Sequence, residues 1–385
     1  MSRRAWFLIA VVSALLGVGL VFLYSATAAR CEHGRSGDAF FFFRKQLLWT
    51  VLSVAAMLVA AHVPTRWWER AKVPLLVAAF VLLGLVLVPG VGRGREGHGA
   101  QRWLDLRGMS LQPSEAAKLA LALFLCSYAA ADPQRLRTFF RGFLPTFGAL
   151  AIACALIAKQ PDAGTAIFLG LTMGLVLFAA GVRLLHLLPG ALAATAAGGW
   201  YFFTHMEHVR ARIQTWLHPD HDPLGKGLQV KQSLVALGSG GLWGEGLGRG
   251  LQKLYYLPEV HADFLFPVIG EEVGFVGAAG VLLLYVLLGV AGWRIARNAK
   301  SPFGFLFPVA MTWLILLQAA LNVAVVTATV PAKGIPLPLL SFGGSSLFFT
   351  MIGIGVIVRI ADEGEGNERP AAPAQEPVRL DHTSS

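Results

Sequence analysis

In "YYLPEVHADFLFPVIGEEVGFVG" three groups able to move a proton, Glu259, His261 and Asp263, alternate along the chain just before an apolar stretch, and Glu271 and Glu272 follow about two turns inside it. Carboxylates and histidine are the usual side chains of general acid–base chemistry. An ionisable group in or beside a membrane-crossing helix is costly, and those retained there commonly face an interior cavity and mark function. Asp263 stands at the junction itself, where a carboxylate can act as a helix cap or as a general base. The residues alone leave both open. Of Glu271 and Glu272, at least one is expected to face the protein interior.

Three other stretches put polar groups in an apolar setting. In "QPSEAAKLA", Glu115 and Lys118 are three residues apart and share one helix face, as a mutual ion pair or as a polar cavity wall. In "AKQPDAGTA", Gln160 and Asp162 sit in a short reversal made by Pro161 and Gly164, read first as the polar cap of a helical hairpin. In "VPAKGIPLPLLSFGGSSLFF", three prolines and three glycines forbid a continuous helix, while Lys333, Ser341, Ser345 and Ser346 supply hydrogen-bond donors. Non-helical backbone at membrane depth is tolerated only where it is buried or lines a cavity, and that is the expectation here. His218, Asp220, His221 and Asp222 are too close along the chain to build a metal site unaided, and are read as a turn. The glycines of "GSGGLWGEGLGRG" match neither a phosphate loop nor a dinucleotide fingerprint; they imply a tightly turning, close-packed loop.

The elements that must position these groups follow from composition. The 385 residues are 55% hydrophobic and 14% charged, against roughly 25% charged in soluble domains. Apolar runs at about 5–28, 47–63, 74–91, 116–131, 143–158, 164–181, 184–203, 264–290, 304–328 and 345–360 are each near the roughly 17–25 residues a spanning helix needs. The expected fold is an all-α polytopic membrane protein of about ten transmembrane helices. The first run begins like a secretory signal, but its apolar core exceeds the roughly 7–15 residues of one, so it is read as a retained helix. Arg and Lys near the helix ends lean toward cytoplasmic termini. The long loop from about 204 to 263, between helices 7 and 8, then faces outward.

A net charge of +10 is scattered over the flanks of the spans rather than gathered in a stripe, which argues against nucleic acid. Cys126 and Cys154 fall inside spans and Cys31 stands alone, so neither a disulfide framework nor a metal spacing is present. We expect one transmembrane domain over 1–361 and a polar, Pro-rich, disordered cytoplasmic tail over 362–385. Up to this point the residues define an outward polar cavity without separating transporter from enzyme.

At these same stretches the chain resembles the shape, elongation, division and sporulation (SEDS) family. The pieces that carry the resemblance are "LYSATA", "GAQRWLDLRGMSLQPSEAAKLAL", "QPDAGTA", "RIQTWLHPDHDPLGKGLQVKQSLVALGSGGLWGEGLG", "QKLYYLPEVHADFLFPVIGEEVGFVG" and "PAKGIPLPLLSFGGSSL", in order over nearly the whole chain. The resemblance implies a bacterial inner-membrane protein that polymerises lipid II, the undecaprenyl-diphosphate-linked disaccharide-pentapeptide, into peptidoglycan glycan strands. It further implies an inverting glycosyltransferase acting with a class B penicillin-binding protein and other division or elongation membrane proteins.

Carried over residue by residue, the family's essential aspartate falls on Asp263, in its Pro-Glu-x-His-x-Asp-Phe motif with Glu259 and His261. Trp103 takes the place of its Gly-Ala-x-Arg-Trp tryptophan, Glu115 and Lys118 its fourth-span polar pair, and Lys333 with Ser341, Ser345 and Ser346 its last outer loop; with Arg102, Gln160, Asp162, Arg210, Lys253, Glu259 and His261 these are the substrate-binding residues that the resemblance leads us to expect. Arg102, Lys118, Arg210, Lys253 and Lys333 are the cations expected to meet the leaving diphosphate, with Mg or Mn as a conceivable helper and no dedicated metal cage. Ala262, Leu228 and Pro267 depart from the family's commoner Thr or Ser, Tyr and Ala, and none removes a charge. "GAQRWLDL" is closer to elongation members and "PAKGIPLPLLSFGGSS" to division members; the balance leans to division. The alternative reading is a lipid II flippase, which shares the substrate and the cavity.

Overall fold

The computed structural model describes residues 1–32, 38–94, 101–106, 109–132, 134–183, 226–252, 263–331 and 334–365, with isolated positions between 185 and 216. Ten helices of fourteen residues or more stand among the described residues: α1 (Arg3–Glu32), α2 (Phe41–His62), α3 (Thr65–Val86), α4 (Pro113–Ala131), α5 (Leu144–Lys159), α6 (Ala163–Ala179), α7 (Lys226–Ser239), α8 (Leu265–Arg297), α9 (Pro302–Val326) and α10 (Gly344–Glu365). Seven segments are long and apolar enough to cross a membrane: Arg3–Ala28, Phe41–His62, Pro113–Ala131, Phe139–Lys159, Leu265–Arg297, Pro302–Val326 and Gly344–Glu365. The chain is therefore a mostly helical, polytopic membrane protein. Glu69, Arg70 and Lys72 near the start of α3 and the 17-residue length of α6 keep those two below that measure. The run expected at 184–203 lies largely outside the described residues.

An all-α expectation needs one correction. Residues before α4 form a three-stranded antiparallel sheet, β1 (Gly92–Gly94), β2 (Gln101–Leu106) and β3 (Met109–Leu111), in the order β1-β2-β3. Trp103 is thus a strand residue paired with Arg93, not part of an irregular loop. The two-residue alternation in "QRWLDL" is the strand signal, short and easily passed over among glycines.

Helix α4 is the hub of the bundle. Almost all its residues are buried, and it packs against α3, α9 and α10. Pro113 opens it at a position whose N–H has no helical partner, and Glu115 in the first turn favours the positive end of the helix dipole. Close helix contacts use glycine: a Cβ at Gly355 in α10 would stand 2.3 Å from the Met57 carbonyl oxygen in α2.

The ends of the elements sort onto two faces. On one, the Ser2 amide donates to Asp362 (2.6 Å), Thr65 Oγ1 donates to Glu363 (2.7 Å), and Gly364 lies against the Asn298 carbonyl. Helix α10 thus continues past the domain boundary expected at residue 361, and Asp362 and Glu363 join the ends of the bundle; residues 366–385 lie outside the described residues. On the other face, the Gln112 amide donates to Ser345 Oγ (3.2 Å) and Ser25 Oγ donates to Glu272 (2.6 Å).

Candidate functional site on the loop-bearing face

Asp263 stands one residue outside Phe264, the N-cap of α8, and is half-buried. Its backbone carbonyl accepts a hydrogen bond from Asn322 Nδ2 in α9 at 2.8 Å, and the same nitrogen donates to the Ile335 carbonyl at 2.7 Å. Its carboxylate lies against Gly334, where a Cβ would meet Asp263 Oδ2 at 2.5 Å. The first turn of α8 contains Pro267, harmless there because a first-turn N–H makes no intrahelical bond. The unusual proline at this position therefore leaves the Asp263 turn intact.

The segment facing Asp263 descends into the bundle. A Cβ on Gly19 of α1 would come within 2.7 Å of the Leu340 Cα, and Gly19 lies nine residues, about 14 Å of helix, before the end of the apolar run at Ala28. Irregular backbone at that depth must find partners inside the protein. Gln318 Nε2 donates to the Pro336 carbonyl (3.0 Å), Tyr285 donates its hydroxyl hydrogen to the Pro338 carbonyl, and the Leu337 amide donates to Ser341 Oγ (3.1 Å). Ser341 and Ser345 are buried and engaged with backbone amides, and Ser346 is half-buried.

Glu115 and Lys118 do pair: Lys118 Nζ donates to Glu115 Oε1 at 2.8 Å and to Gln318 Oε1 at 3.0 Å. The ammonium also lies 5.5 Å from the centre of the Phe168 ring. Both charged residues are over nine-tenths buried. They line a cavity of about 20 Å³, room for roughly one water. Gln318 therefore links this ion pair to the same segment that Asn322 ties to Asp263.

At the α5–α6 turn the hairpin-cap reading describes what is seen. Asp162 is the N-cap of α6 and accepts from the Thr165 amide (3.3 Å), and Gln160 Nε2 donates to the Leu83 carbonyl (2.9 Å). Arg102 closes over this turn, donating to the Gln160 carbonyl (3.1 Å) and the Pro161 carbonyl, with Asp162 Oδ1 at 3.8 Å. Its guanidinium holds the sheet to the hairpin.

Both Glu271 and Glu272 are buried. Glu271 Oε1 accepts from the Leu251 and Gln252 amides (2.7 and 3.1 Å), while Ser25 holds Glu272. Their helix is interrupted at Gly274, whose φ of 68° and ψ of −168° free the surrounding carbonyls. The glycine-rich loop docks there: the Glu245 and Gly246 amides donate to the Glu271 and Glu272 carbonyls, and the Phe275 and Val276 amides donate back to Gly241 and Leu242.

Arg210, Lys253, Glu259, His261 and Lys333, with His218, Asp220, His221 and Asp222, lie outside the described residues. Sequence reading missed Asn322, Gln318 and Tyr285. A signal existed: two carboxamides four residues apart occupy one face of the otherwise apolar α9.

The fold and this arrangement of polar groups are those of a multi-pass membrane protein with a buried, loop-lined polar site. The chain matches the cell cycle protein family of FtsW, RodA and SpoVE over residues 5–365 and belongs to it. It is 39% identical to "Probable peptidoglycan glycosyltransferase FtsW" of Trichlorobacter lovleyi, covering 92% of each chain. It is 38% identical to "Stage V sporulation protein E" of Bacillus subtilis, over 92% of this chain and 96% of that one. Among solved structures, it aligns with one described as "Structural coordination of polymerization and crosslinking by a peptidoglycan synthase complex" at TM-score 0.75 and 28% identity, covering 93% of this chain and 98% of the other. The rod shape determining protein RodA of Thermus thermophilus aligns at TM-score 0.67 and 27% identity, over 93% and 96%.

Proposed function

We propose that this chain is a peptidoglycan glycosyltransferase that polymerises lipid II, with Asp263 as its general base. The acceptor's GlcNAc 4-hydroxyl oxygen attacks the anomeric carbon of the donor MurNAc, the bond from that carbon to the diphosphate oxygen breaks with inversion, and the hydroxyl proton passes to the Asp263 carboxylate. Undecaprenyl diphosphate leaves with the electron pair. Arg210, Lys253 and Lys333 are the cations assigned to it; Arg102 and Lys118 already hold protein oxygens and must exchange partners to serve there. Trp103 offers a flat apolar face to sugar or lipid, and Glu259 and His261 complete the motif around the base.

The observation that carries this reading is the setting of Asp263. A half-buried carboxylate stands at the loop-bearing end of a membrane-embedded helix, facing a glycine and a descending loop, in a chain whose relatives bear the name peptidoglycan glycosyltransferase. A sugar carried on a lipid has to be met at that level.

In the same reading the chain crosses the bacterial cytoplasmic membrane ten times, with both termini in the cytoplasm, the seventh crossing at 184–203 and the large outer loop after it. Support comes from His186, whose ring is 5.8 Å from Phe139 beside the α4–α5 connection, and from Ser233 Oγ, which donates to the Val326 carbonyl at the opposite end of the bundle. The proposed transmembrane domain runs from residue 1 to the end of α10, a few residues past the boundary expected at 361, and a short tail follows it. A class B penicillin-binding protein is the proposed crosslinking partner, in keeping with the peptidoglycan synthase complex that the fold matches. A role in division is favoured over elongation by the FtsW relatives.

The test is lipid II polymerisation by purified protein, with and without a co-purified class B penicillin-binding protein. Wild type is expected to make long glycan strands, and Asp263→Ala to lose about 10²- to 10⁴-fold in rate while remaining folded. Strands from both proteins would return Asp263 to a structural role. Strands from neither, together with lipid movement in a flipping assay, would establish the transporter reading instead.

A further inference from the structure

We propose that Asn322 is a positioning residue for the reaction assigned to Asp263, fixing the turn that bears the base against the segment at 334–336. The inference rests on that assignment. Asn322 is 1% exposed, and its Nδ2 donates to the carbonyls of Asp263 (2.8 Å) and Ile335 (2.7 Å). A carboxamide nitrogen has two hydrogens, and each goes to a different element. Its own Oδ1 finds no partner among the described residues, so the residue is placed for what its nitrogen holds together.

What is held together is the immediate setting of the base. Asp263 is anchored through its backbone, and Gly334, next to the second anchored residue, is where the carboxylate rests, with a Cβ position 2.5 Å from Oδ2. One turn earlier on α9, Gln318 anchors Pro336 and receives Lys118. The two amides hold consecutive carbonyls of one segment, and its other neighbour is the base-bearing turn. Without the Asn322 clamp the turn and the segment can separate, and the carboxylate loses its fixed place relative to bound sugar. A displacement near 1 Å of a reacting group is enough to cost about 10²-fold.

The experiment is steady-state lipid II polymerisation by the full chain with its co-purified transpeptidase, with kcat and KM measured separately and folding checked by gel filtration and thermal unfolding. Asn322→Ala is expected to lower kcat by about 10- to 10²-fold with little change in KM. In an Asp263→Glu background, where the carboxylate is already displaced, the same substitution should cost no more than about 2-fold. Gly334→Ala pushes on the carboxylate without removing a hydrogen bond, and should show the same pattern, so it carries the test if Asn322→Ala does not fold. Equal losses in both backgrounds, or a loss confined to KM, would overturn the inference and leave Asn322 a purely structural group. Full activity of Asp263→Ala would remove the base assignment first, and this inference with it.

Discussion

Two non-helical segments enter the loop-bearing end of the bundle, and they are held by different chemistry. The glycine-rich loop at 240–252 pairs backbone to backbone with the broken helix around Gly274, its amides donating to Glu271 and Glu272 carbonyls and its carbonyls receiving Phe275 and Val276. The proline-rich segment at 335–341 is held mainly by side chains: Asn322, Gln318 and Tyr285 donate to its carbonyls, and Ser341 receives an amide. Composition explains the difference. Glycine lets two backbones approach and keeps its N–H, whereas proline has no N–H to exchange, so its carbonyls need donors from elsewhere. A backbone-paired loop tolerates changes of side chain but not of shape; a side-chain-held segment has the reverse sensitivity.

That contrast yields graded expectations, each checked by thermal unfolding of the detergent-purified protein. Lys118→Met removes the donor to Gln318 and leaves Glu115 as a buried carboxylate without its cation, and should destabilise by about 3–5 kcal/mol; pairing it with Glu115→Leu should recover much of the loss. Gly244→Ala is expected to cost about 2–3 kcal/mol, since Gly244 has φ of 81° and its Cβ would stand 2.3 Å from the Glu272 carbonyl oxygen. A neutral result would mean that the glycine-rich loop is not held by close backbone approach. Tyr285→Phe deletes one hydroxyl and leaves the Pro338 carbonyl unpaired, for about 1–3 kcal/mol; no change in stability would break the comparison from the proline side. Asp162→Ala removes an ordinary helix cap away from both loops and should cost about 1 kcal/mol.

Much of this was legible in the residues because the membrane makes polar groups conspicuous. Glu115 and Lys118 announce a pair by their spacing, and the prolines and glycines of 331–344 announce a break in the helix. The Gly274 kink was hidden, because one glycine among four between Gly270 and Gly280 gives no sign of its φ. Asn322 and Gln318 were passed over because carboxamides carry no charge and so draw less notice inside an apolar run. Strand β2 was obscured by length: six residues between glycines offer too few alternations to stand out. What sequence could not supply was pairing across distance, such as Asn322 reaching both Asp263 and Ile335.

The contact between Gly19 and Leu340 has a consequence for how the molecule comes into being. Helix α1 leaves the ribosome well before the backbone that fills its glycine notch, which is made about 320 residues later. At translation rates of about 5–20 residues per second, that is a wait on the order of 15–60 s. Through that interval the notch must be occupied by lipid, water or the insertion machinery. The segment at 335–341, with α10 after it, is then what completes the bundle, so premature termination before residue 335 leaves Gly19, Gln318, Asn322 and Tyr285 without the backbone they meet there.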